Sequence, residues 1–296
     1  FEPVLKGLIL YIHEPDMQTG VCANGYIVAL NCIDWVKNRT LTSYDKIITS
    51  LAFSRFFLQV FLSSDNFLYI LYPDFFYINE TSSPYAAIWM FINQASLCFA
   101  SCLSVFYCGK IATFNQSLFN WLKLKLSKLV PWLLLGSVLY SLVITVAFTL
   151  FSYSYWNFAE FNFLIHGIGS ISPIILFIAS SVLLIISLWR HIRKMSLNSD
   201  LNPSFRNPST DAHVHALKSV VSFFSIYNIY YMALTLSIGS LAYVSDEWRI
   251  TVCTIITAAY PSLHSIVLIL GNPKLKVASA RILHSANSSG NKKLAW

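Results

Sequence analysis

Seven apolar stretches, each about as long as a bilayer is wide, constrain the fold of this chain more than any other feature. A membrane-spanning helix needs about 20 mostly apolar residues, and this chain is 56% hydrophobic and only 11% charged. Backbone groups in lipid must be satisfied within their own segment, so stretches of this length predict helices. The predicted spans lie near 17–36, 46–71, 85–111, 129–151, 164–189, 215–241 and 250–270.

The resulting prediction is an all-α membrane protein. Residues 1–285 are expected to form a seven-transmembrane-helix bundle with a short cytoplasmic C-terminal helix, and residues 286–296 a short polar tail. The first span is the least regular, because His13-Glu14-Pro15-Asp16 interrupts its apolar pattern. Proline and carboxylates are costly in a helix within lipid. Either this helix starts near Met17, or its outer turns are distorted.

Lysines and arginines fall in every second connection between the predicted spans. Most of the 20 basic residues follow spans one, three, five or seven, whereas Asp74 and Glu80 lie in the connection after span two. Cytoplasmic loops carry the excess of Lys and Arg, so the N-terminus is predicted outside and the C-terminus inside. The net charge of +7 then indicates topology and contact with anionic membrane lipid rather than nucleic-acid binding. Asn79 begins an Asn-Glu-Thr glycosylation sequon in an outer connection.

One arginine, Arg55, lies near the middle of the second span. A central arginine costs roughly 2.5–3.5 kcal/mol on insertion scales, so it should face the other helices and find polar partners there. Arg55 is therefore predicted to be an internal structural or switching residue.

Polar side chains also mark the predicted third helix. Trp89, Asn93 and Ser96 recur at helical spacing and share one face, with Gln94 beside them. An aromatic ring with an amide one turn deeper suits an amphipathic organic ligand, although such a stripe is also typical of helix packing. Asp65, in the outer half of helix two, has the same two interpretations: a ligand-cavity residue or an internally hydrogen-bonded one.

Three segments carry a resemblance to a known family. Leu51–Arg55, the run Tyr107–Ala112 at the end of helix three, and above all Tyr260–Ser265 followed by Gly271–Lys276 resemble the bitter taste receptors, the type 2 taste receptors. The chain lacks the Asn-Pro-x-x-Tyr of rhodopsin-like receptors near the end of helix seven. The resemblance extends over about residues 20–285.

The resemblance implies a G-protein-coupled receptor for bitter small molecules in the plasma membrane, with no cofactor and no metal. Its partner would be a heterotrimeric G protein with a gustducin or inhibitory-type alpha subunit. The family's ligand cavity uses a tryptophan and an asparagine at the spacing of Trp89 and Asn93. With the neighbouring positions, the ligand-binding residues expected are Trp89, Asn93, Gln94, Ser96, Asp65, Tyr230, Tyr231, Thr254 and Thr257.

The resemblance and the positions of the residues in the chain predict two further functional groups, a switching network and a G-protein contact surface. Arg55 is expected to form a switching network with Asn24 on helix one and Ser265 on helix seven. The G protein is expected to dock at the inner ends of helices three, five and six. The contact residues expected there are Tyr107, Lys110, Arg190, His191, Arg193, His215 and Lys218.

Other functional classes fit the residues less well. A small polytopic transporter would show internal repeats or paired broken helices, and neither is seen in the sequence; a pheromone-type chemoreceptor remains a further alternative. An enzyme would need converging acid–base or metal groups, whereas His166 and His264 are isolated in the pattern and are predicted to be satisfied helix histidines. The six cysteines fall within or at the ends of the spans, which favours buried thiols over a disulfide framework.

Overall fold

The computed structural model describes residues 2–71, 84–112, 117–152, 158–200, 208–243 and 247–281. Within these ranges the chain forms seven long helices and one short helix. The long helices are α1 (Glu2–Asn38), α2 (Ser43–Leu71), α3 (Pro84–Ile111), α4 (Ser117–Ser152), α5 (Phe158–Asp200), α6 (Pro208–Tyr243) and α7 (Glu247–Gly271). The short helix, α8, covers 273–281. The predicted all-α, seven-helix architecture is confirmed.

Most of these helices are apolar enough to cross a membrane. Among the described residues, five meet the length and composition of a span: Ser43–Ser64, Ala86–Ile111, Leu124–Leu150, His166–Arg193 and Thr251–Gly271. Helix α6 contributes a shorter apolar stretch, Val220–Leu236. Many large apolar side chains on α4 and α5 are exposed, including Trp132 at 70%. Such a surface suits lipid rather than water as the surrounding solvent.

The helices form a closed ring around a buried core. Going around it, α1 packs on α2, α2 on α3, α3 on α5, α5 on α6, α6 on α7, and α7 back on α1. Helix α4 lies outside this ring, mainly against α3. Consequently α3 packs extensively against three other helices, α2, α4 and α5, and its residues from Asn93 to Ala100 are all buried. The lysines and arginines at the ends of α1, α3 and α5 lie together at one end of the ring, called here the basic end; the opposite end is the far end.

Helix α1 is longer than the predicted alternative in which it starts near Met17. It begins at Glu2 rather than near Met17 and continues through Pro15 without a break in helical backbone. Proline removes one backbone donor from the helix, and membrane helices tolerate this where neighbouring groups satisfy the freed carbonyl. The short-helix alternative is therefore wrong.

At the basic end, one lysine ties α8 to two other helices. The Lys274 ammonium lies 2.6 Å from an Asp34 oxygen and 3.5 Å from an Asp45 oxygen, and it donates to Asn31 Oδ1 at 3.1 Å. Desolvation alone would lower the pKa of Lys274, but the hydrogen bond to Asp34 and the charges of both carboxylates together raise it above its ordinary value. The ammonium therefore stays charged at neutral pH, and we call this arrangement the Lys274 tether.

A second polar group joins α1, α2 and α7 deeper in the bundle. Asn24 donates to Gln59 Oε1 at 3.1 Å, Gln59 donates to Ser262 Oγ at 2.7 Å, and Ser265 donates to Asn24 Oδ1 at 2.6 Å. All four side chains are buried. Buried polar groups that satisfy one another in this way hold helices in a defined register. We call these four residues the Asn24 cluster.

Gly20 leaves room for the Asn24 cluster. A methyl group at this position would overlap the side-chain amide of Gln59 and the hydroxyl of Ser262. The Gly20→Ala substitution should therefore displace Gln59 and lower the free energy of unfolding by about 1–2 kcal/mol, despite the better helix propensity of alanine. The measurement is the thermal unfolding midpoint of purified protein.

Gly25→Ala is the matched control on the same helix. Its added methyl would lie 3.6 Å from the Phe56 ring, an ordinary contact. This variant should match the parent or exceed it slightly, because alanine favours a helix over glycine by about 1 kcal/mol. Equal midpoints for the two variants would contradict the role given to Gly20.

Candidate ligand site and the Arg55 network

Three helices meet around Asn93. The Tyr230 hydroxyl on α6 donates to Asn93 Oδ1, and Asn93 Nδ2 lies 3.4 Å from the Nε2 atom of His166 on α5. The Trp89 ring, one turn before Asn93, stacks on the His166 ring with centroids 6.1 Å apart. Asn93 and Tyr230 are buried, whereas Trp89 is half-buried. The predicted ligand residues Asn93 on α3 and Tyr230 on α6 are thus in direct contact, and His166 on α5 contacts both Asn93 and Trp89.

The neighbouring amide of Gln94 faces α5 instead. Gln94 Nε2 donates to the Gly169 carbonyl at 2.8 Å, and the Ser170 hydroxyl lies 3.4 Å from Gln94 Oε1. Ser96 is also buried. These contacts give Gln94 a helix-packing role, since both ends of its amide already have partners on α5.

The contacts continue from Tyr230 to the arginine of α2. The Tyr230 and Tyr260 rings stack with centroids 4.1 Å apart. Arg55 donates from Nη2 to the Tyr260 hydroxyl at 2.6 Å, and its guanidinium carbon lies 4.8 Å from the centre of that ring. Hydrogen bonding combined with cation–π attraction suits a guanidinium away from water. We call the connected set Trp89, His166, Asn93, Tyr230, Tyr260 and Arg55 the Arg55 network.

The expected partners of Arg55 require a correction. Arg55 is fully buried, but it bonds to Tyr260 rather than to Asn24 or Ser265. Those two residues bond to each other within the Asn24 cluster. The reason is geometric: Gln59, one turn after Arg55 on α2, occupies the position next to Asn24, and the longer tyrosine side chain meets the guanidinium instead.

The remaining predicted ligand residues lie on α7, α6 and α2. On α7, Thr254 and Thr257 are half-buried, and Thr257 donates to backbone carbonyls of its own helix. Tyr231 is half-buried and packs against the core. Asp65 lies in α2, but its side chain is outside the described part of the structure. The ligand assignment therefore depends most on Trp89, Asn93 and Tyr230.

At the basic end, the predicted G-protein residues lie on α3, α5 and α6. Tyr107 donates to the Tyr44 hydroxyl at 3.2 Å, which joins α3 to α2. Arg190, Arg193 and Lys218 are exposed, and Lys110 and His191 are half-buried. The side chain of His215 and the whole of Asn79 lie outside the described residues.

Sequence reasoning missed two members of the Arg55 network. His166 was interpreted as an isolated helix residue, yet it contacts Trp89 and Asn93. The sequence feature that could have indicated a polar contact at His166 is Ser170, which lies one turn later on the same face of an apolar helix. Tyr260 was noted only as part of a motif, although it contacts both Tyr230 and Arg55.

Comparison with known proteins gives a consistent result. The family model described as "Taste receptor protein (TAS2R)" matches residues 2–287. Taste receptor type 2 member 9 of Macaca mulatta is 36% identical over 295 residues, covering 94% of each chain. The protein of the same name from Homo sapiens is 35% identical over 296 residues, again covering 94% of each chain. Taste receptor type 2 member 7 of Papio hamadryas is 34% identical over 305 residues, covering 95% of this chain and 94% of that one.

The fold is also found among solved structures. The crystal structure of squid rhodopsin matches with a TM-score of 0.65 at 13% sequence identity, covering 97% of this chain and 87% of that chain. At this identity the likeness concerns the fold alone.

The hydrogen bond between Asn93 and Tyr230 should contribute measurably to stability. In a double-mutant cycle of Asn93→Ala and Tyr230→Phe, we expect a coupling energy of about 1–2 kcal/mol, because each substitution removes one partner of a buried bond. The measurement is the free energy of unfolding of the two single variants, the double variant and the parent.

Tyr26→Phe provides the control pair for this cycle. Its hydroxyl donates to the Leu275 carbonyl at the basic end and takes no part in the Arg55 network. Combined with Asn93→Ala, it should be additive within about 0.5 kcal/mol. Additivity in both cycles would show that Asn93 and Tyr230 do not interact.

Proposed function

The chain belongs to the type 2 taste receptor family, and from this premise we propose that it is a G-protein-coupled receptor that responds to bitter small molecules. The agonist binds in the far half of the bundle, between α3 and α6. The observation that carries this proposal is the chain of contacts that runs from Trp89 through His166, Asn93, Tyr230 and Tyr260 to Arg55.

The contacts of Asn93 support a mechanism for signalling. A ligand shifts an equilibrium between two packings only if it binds one of them better. A polar ligand group that bonds to Asn93 competes with Tyr230 for the same amide, and so changes how α3 holds α6. Because Tyr230 stacks on Tyr260, which holds Arg55, such a change alters contacts of α7 and α2 in the middle of the bundle.

The chemistry of these side chains indicates the class of agonist. Trp89 and Tyr230 offer aromatic surface, and Asn93 offers an amide. Helix α3 contains no Asp or Glu, and α7 has only Glu247, its first residue. Stacking and hydrogen bonding should therefore dominate over charge pairing, which favours apolar or weakly polar organic molecules with micromolar affinity, or about 8 kcal/mol.

The charge pattern supports an orientation. We place the basic end in the cytoplasm and the far end outside, because Lys and Arg accumulate on the cytoplasmic side of membrane proteins. The chain then lies in the plasma membrane with its N-terminus extracellular, and the Asn79 sequon is available for glycosylation. Residues of the basic end on α3, α5 and α6 contact the G protein, which is of the gustducin or inhibitory type.

Agonist-driven nucleotide exchange on a co-expressed gustducin-type alpha subunit tests the receptor function. Membranes bearing the chain should accelerate exchange when a bitter compound is added, and membranes without it should not. A panel of chemically distinct bitter compounds is needed, and failure of every compound with every inhibitory-type alpha subunit would count against the proposal.

Substitutions at the far end should separate stacking from hydrogen bonding. Trp89→Ala should right-shift activation by every agonist found, about tenfold or more, because all of them use the aromatic surface. Asn93→Ala should affect mainly the agonists that carry a hydrogen-bonding group. Concentration–response curves at matched surface expression provide the measurement.

The chain offers a control for each of these substitutions. Trp132→Ala removes a tryptophan that is 70% exposed on α4, and Asn228→Ala removes an amide that donates to the Phe224 carbonyl on its own helix. Both should respond like the parent. If the Trp89 and Asn93 variants also respond like the parent, the agonist binds elsewhere.

Two lysines test the G-protein surface. The double substitution Lys110→Gln with Lys218→Gln removes positive charge at the inner ends of α3 and α6, and should reduce maximal coupling several-fold while leaving agonist potency nearly unchanged. The control is Lys128→Gln with Lys276→Gln, which removes two exposed charges of the same end. An equal reduction in both double variants would indicate that the lysines act only as a membrane anchor.

A further inference from the structure

Several buried polar atoms near the centre of the bundle have no hydrogen-bond partner among the described residues. Five of these atoms belong to three side chains: Nε and Nη1 of Arg55, the hydroxyl of Tyr227, and both ring nitrogens of His264. Each of these residues is at most 1% exposed. Buried donors without partners are rare in folded proteins, because each one costs about 1–3 kcal/mol.

The three side chains surround a single ring, that of Tyr260. The Arg55 guanidinium lies 4.8 Å from its centre. The Tyr227 ring centroid is 6.3 Å from that of Tyr260, and the His264 ring stacks on the Tyr260 ring with centroids 5.7 Å apart. The unpaired atoms thus come from α2, α6 and α7, at the level where these helices approach one another.

Positive charge in this region has no described counter-ion. Arginine stays protonated in proteins, and no described carboxylate lies within salt-bridge distance of Arg55; the described ion pairs of Asp34 and Asp45 are with Lys274. On α2 the nearest acidic residues are Asp45 and Asp65, each ten positions from Arg55, or about 15 Å along a helix. Helix α3 contains no acidic residue. The Tyr260 hydroxyl supplies one hydrogen bond but no compensating negative charge.

We propose that Arg55, Tyr227 and His264 form a binding site for a small monovalent anion, chloride, in the centre of the bundle. The guanidinium contributes the charge and two donor nitrogens, Nε and Nη1, the tyrosine hydroxyl contributes one donor, and the neutral imidazole contributes another. Four donors of this kind suit a monatomic anion, which needs no particular orientation. A carboxylate or phosphate would need more space and a bidentate fork.

A bound anion compensates the buried charge of Arg55, whereas a water molecule does not. Water satisfies donors but leaves the buried charge of Arg55 uncompensated, and an uncompensated charge away from water is among the costliest features in a protein. Bound chloride neutralises it and links α2, α6 and α7 in the packing described here. Anything that binds this packing and not the unfolded chain stabilises it in proportion to its concentration relative to the dissociation constant.

Thermal unfolding of the purified receptor at constant ionic strength tests the site. Replacing sodium gluconate by sodium chloride should raise the midpoint by about 3 °C or more. Sodium bromide should have the same effect because it is also a small monovalent anion, and choline chloride should match sodium chloride. A rise that requires sodium, or no rise with chloride, would overturn the proposal; the latter result would indicate that water alone occupies the region.

Variants locate the effect within the bundle. Arg55→Gln should abolish the chloride dependence, whereas Arg193→Gln, which changes an exposed arginine of α5, should retain it in full. A chloride effect that survives Arg55→Gln would arise from surface binding and would overturn the assignment.

Arg55→Gln removes a residue of the Arg55 network and is prone to misfolding, so a second measurement uses milder changes. Chlorine NMR of the unsubstituted receptor should show line broadening that bromide reverses. Tyr227→Phe, which deletes only the hydroxyl, should weaken chloride binding about tenfold through loss of one bond to a charged group. Unchanged broadening in Tyr227→Phe would place the anion away from this site.

Discussion

The guanidinium of Arg55 is the constraint on which much of the interior depends. A permanent charge halfway along α2, fully buried in an apolar bundle, is tolerated only where other helices offer it oxygen atoms or ring faces. Tyr260 offers both through its hydroxyl and its ring. That requirement fixes the rotation of α7 relative to α2. Because Tyr230 stacks on Tyr260 and donates to Asn93, it also constrains the positions of α6 and α3.

Two polar systems share helix α2 without sharing residues. The Asn24 cluster begins at Gln59 and joins α1 to α7, whereas the Arg55 network turns toward α3, α5 and α6. The first consists of short amides and hydroxyls that are mutually satisfied. In the second, aromatic rings carry much of the contact, and several polar atoms around it have no hydrogen-bond partner within the described part of the chain. Satisfied hydrogen-bond clusters hold one geometry, while stacked rings slide at smaller cost, so the α3–α6 side is the part of the bundle suited to change.

Sequence reasoning predicted the helices better than the contacts between them. Apolar length alone gave the number of spans, and the cost of a central arginine was enough to place Arg55 inside the bundle. The predicted hydrogen-bond partners of Arg55 were wrong. Tyr260, Ser262 and Ser265 all lie on one short stretch of α7, and which of them contacts α2 depends on helix rotation and side-chain length. His166 was missed for a related reason: one polar residue in an apolar helix does not reveal what faces it across the bundle. Helix α1 extends past Pro15 because a membrane helix tolerates a proline that a propensity argument counts as a break.

The middle of α7 and the segment just after its C-terminal end are held by interactions that differ in their sensitivity to salt. Near its middle, Tyr260 and Ser265 are buried inside the bundle, where hydrogen bonds are screened much less by salt than exposed ion pairs are. Just beyond its end, the ammonium of the Lys274 tether is 41% exposed, so its attraction to Asp34 and Asp45 is screened by salt over a Debye length of about 8 Å at physiological ionic strength. We therefore expect the attachment of α8 to α1 and α2 to weaken as the ionic strength of the adjoining solution rises, whereas the buried hydrogen bonds of α7 are not weakened by this screening.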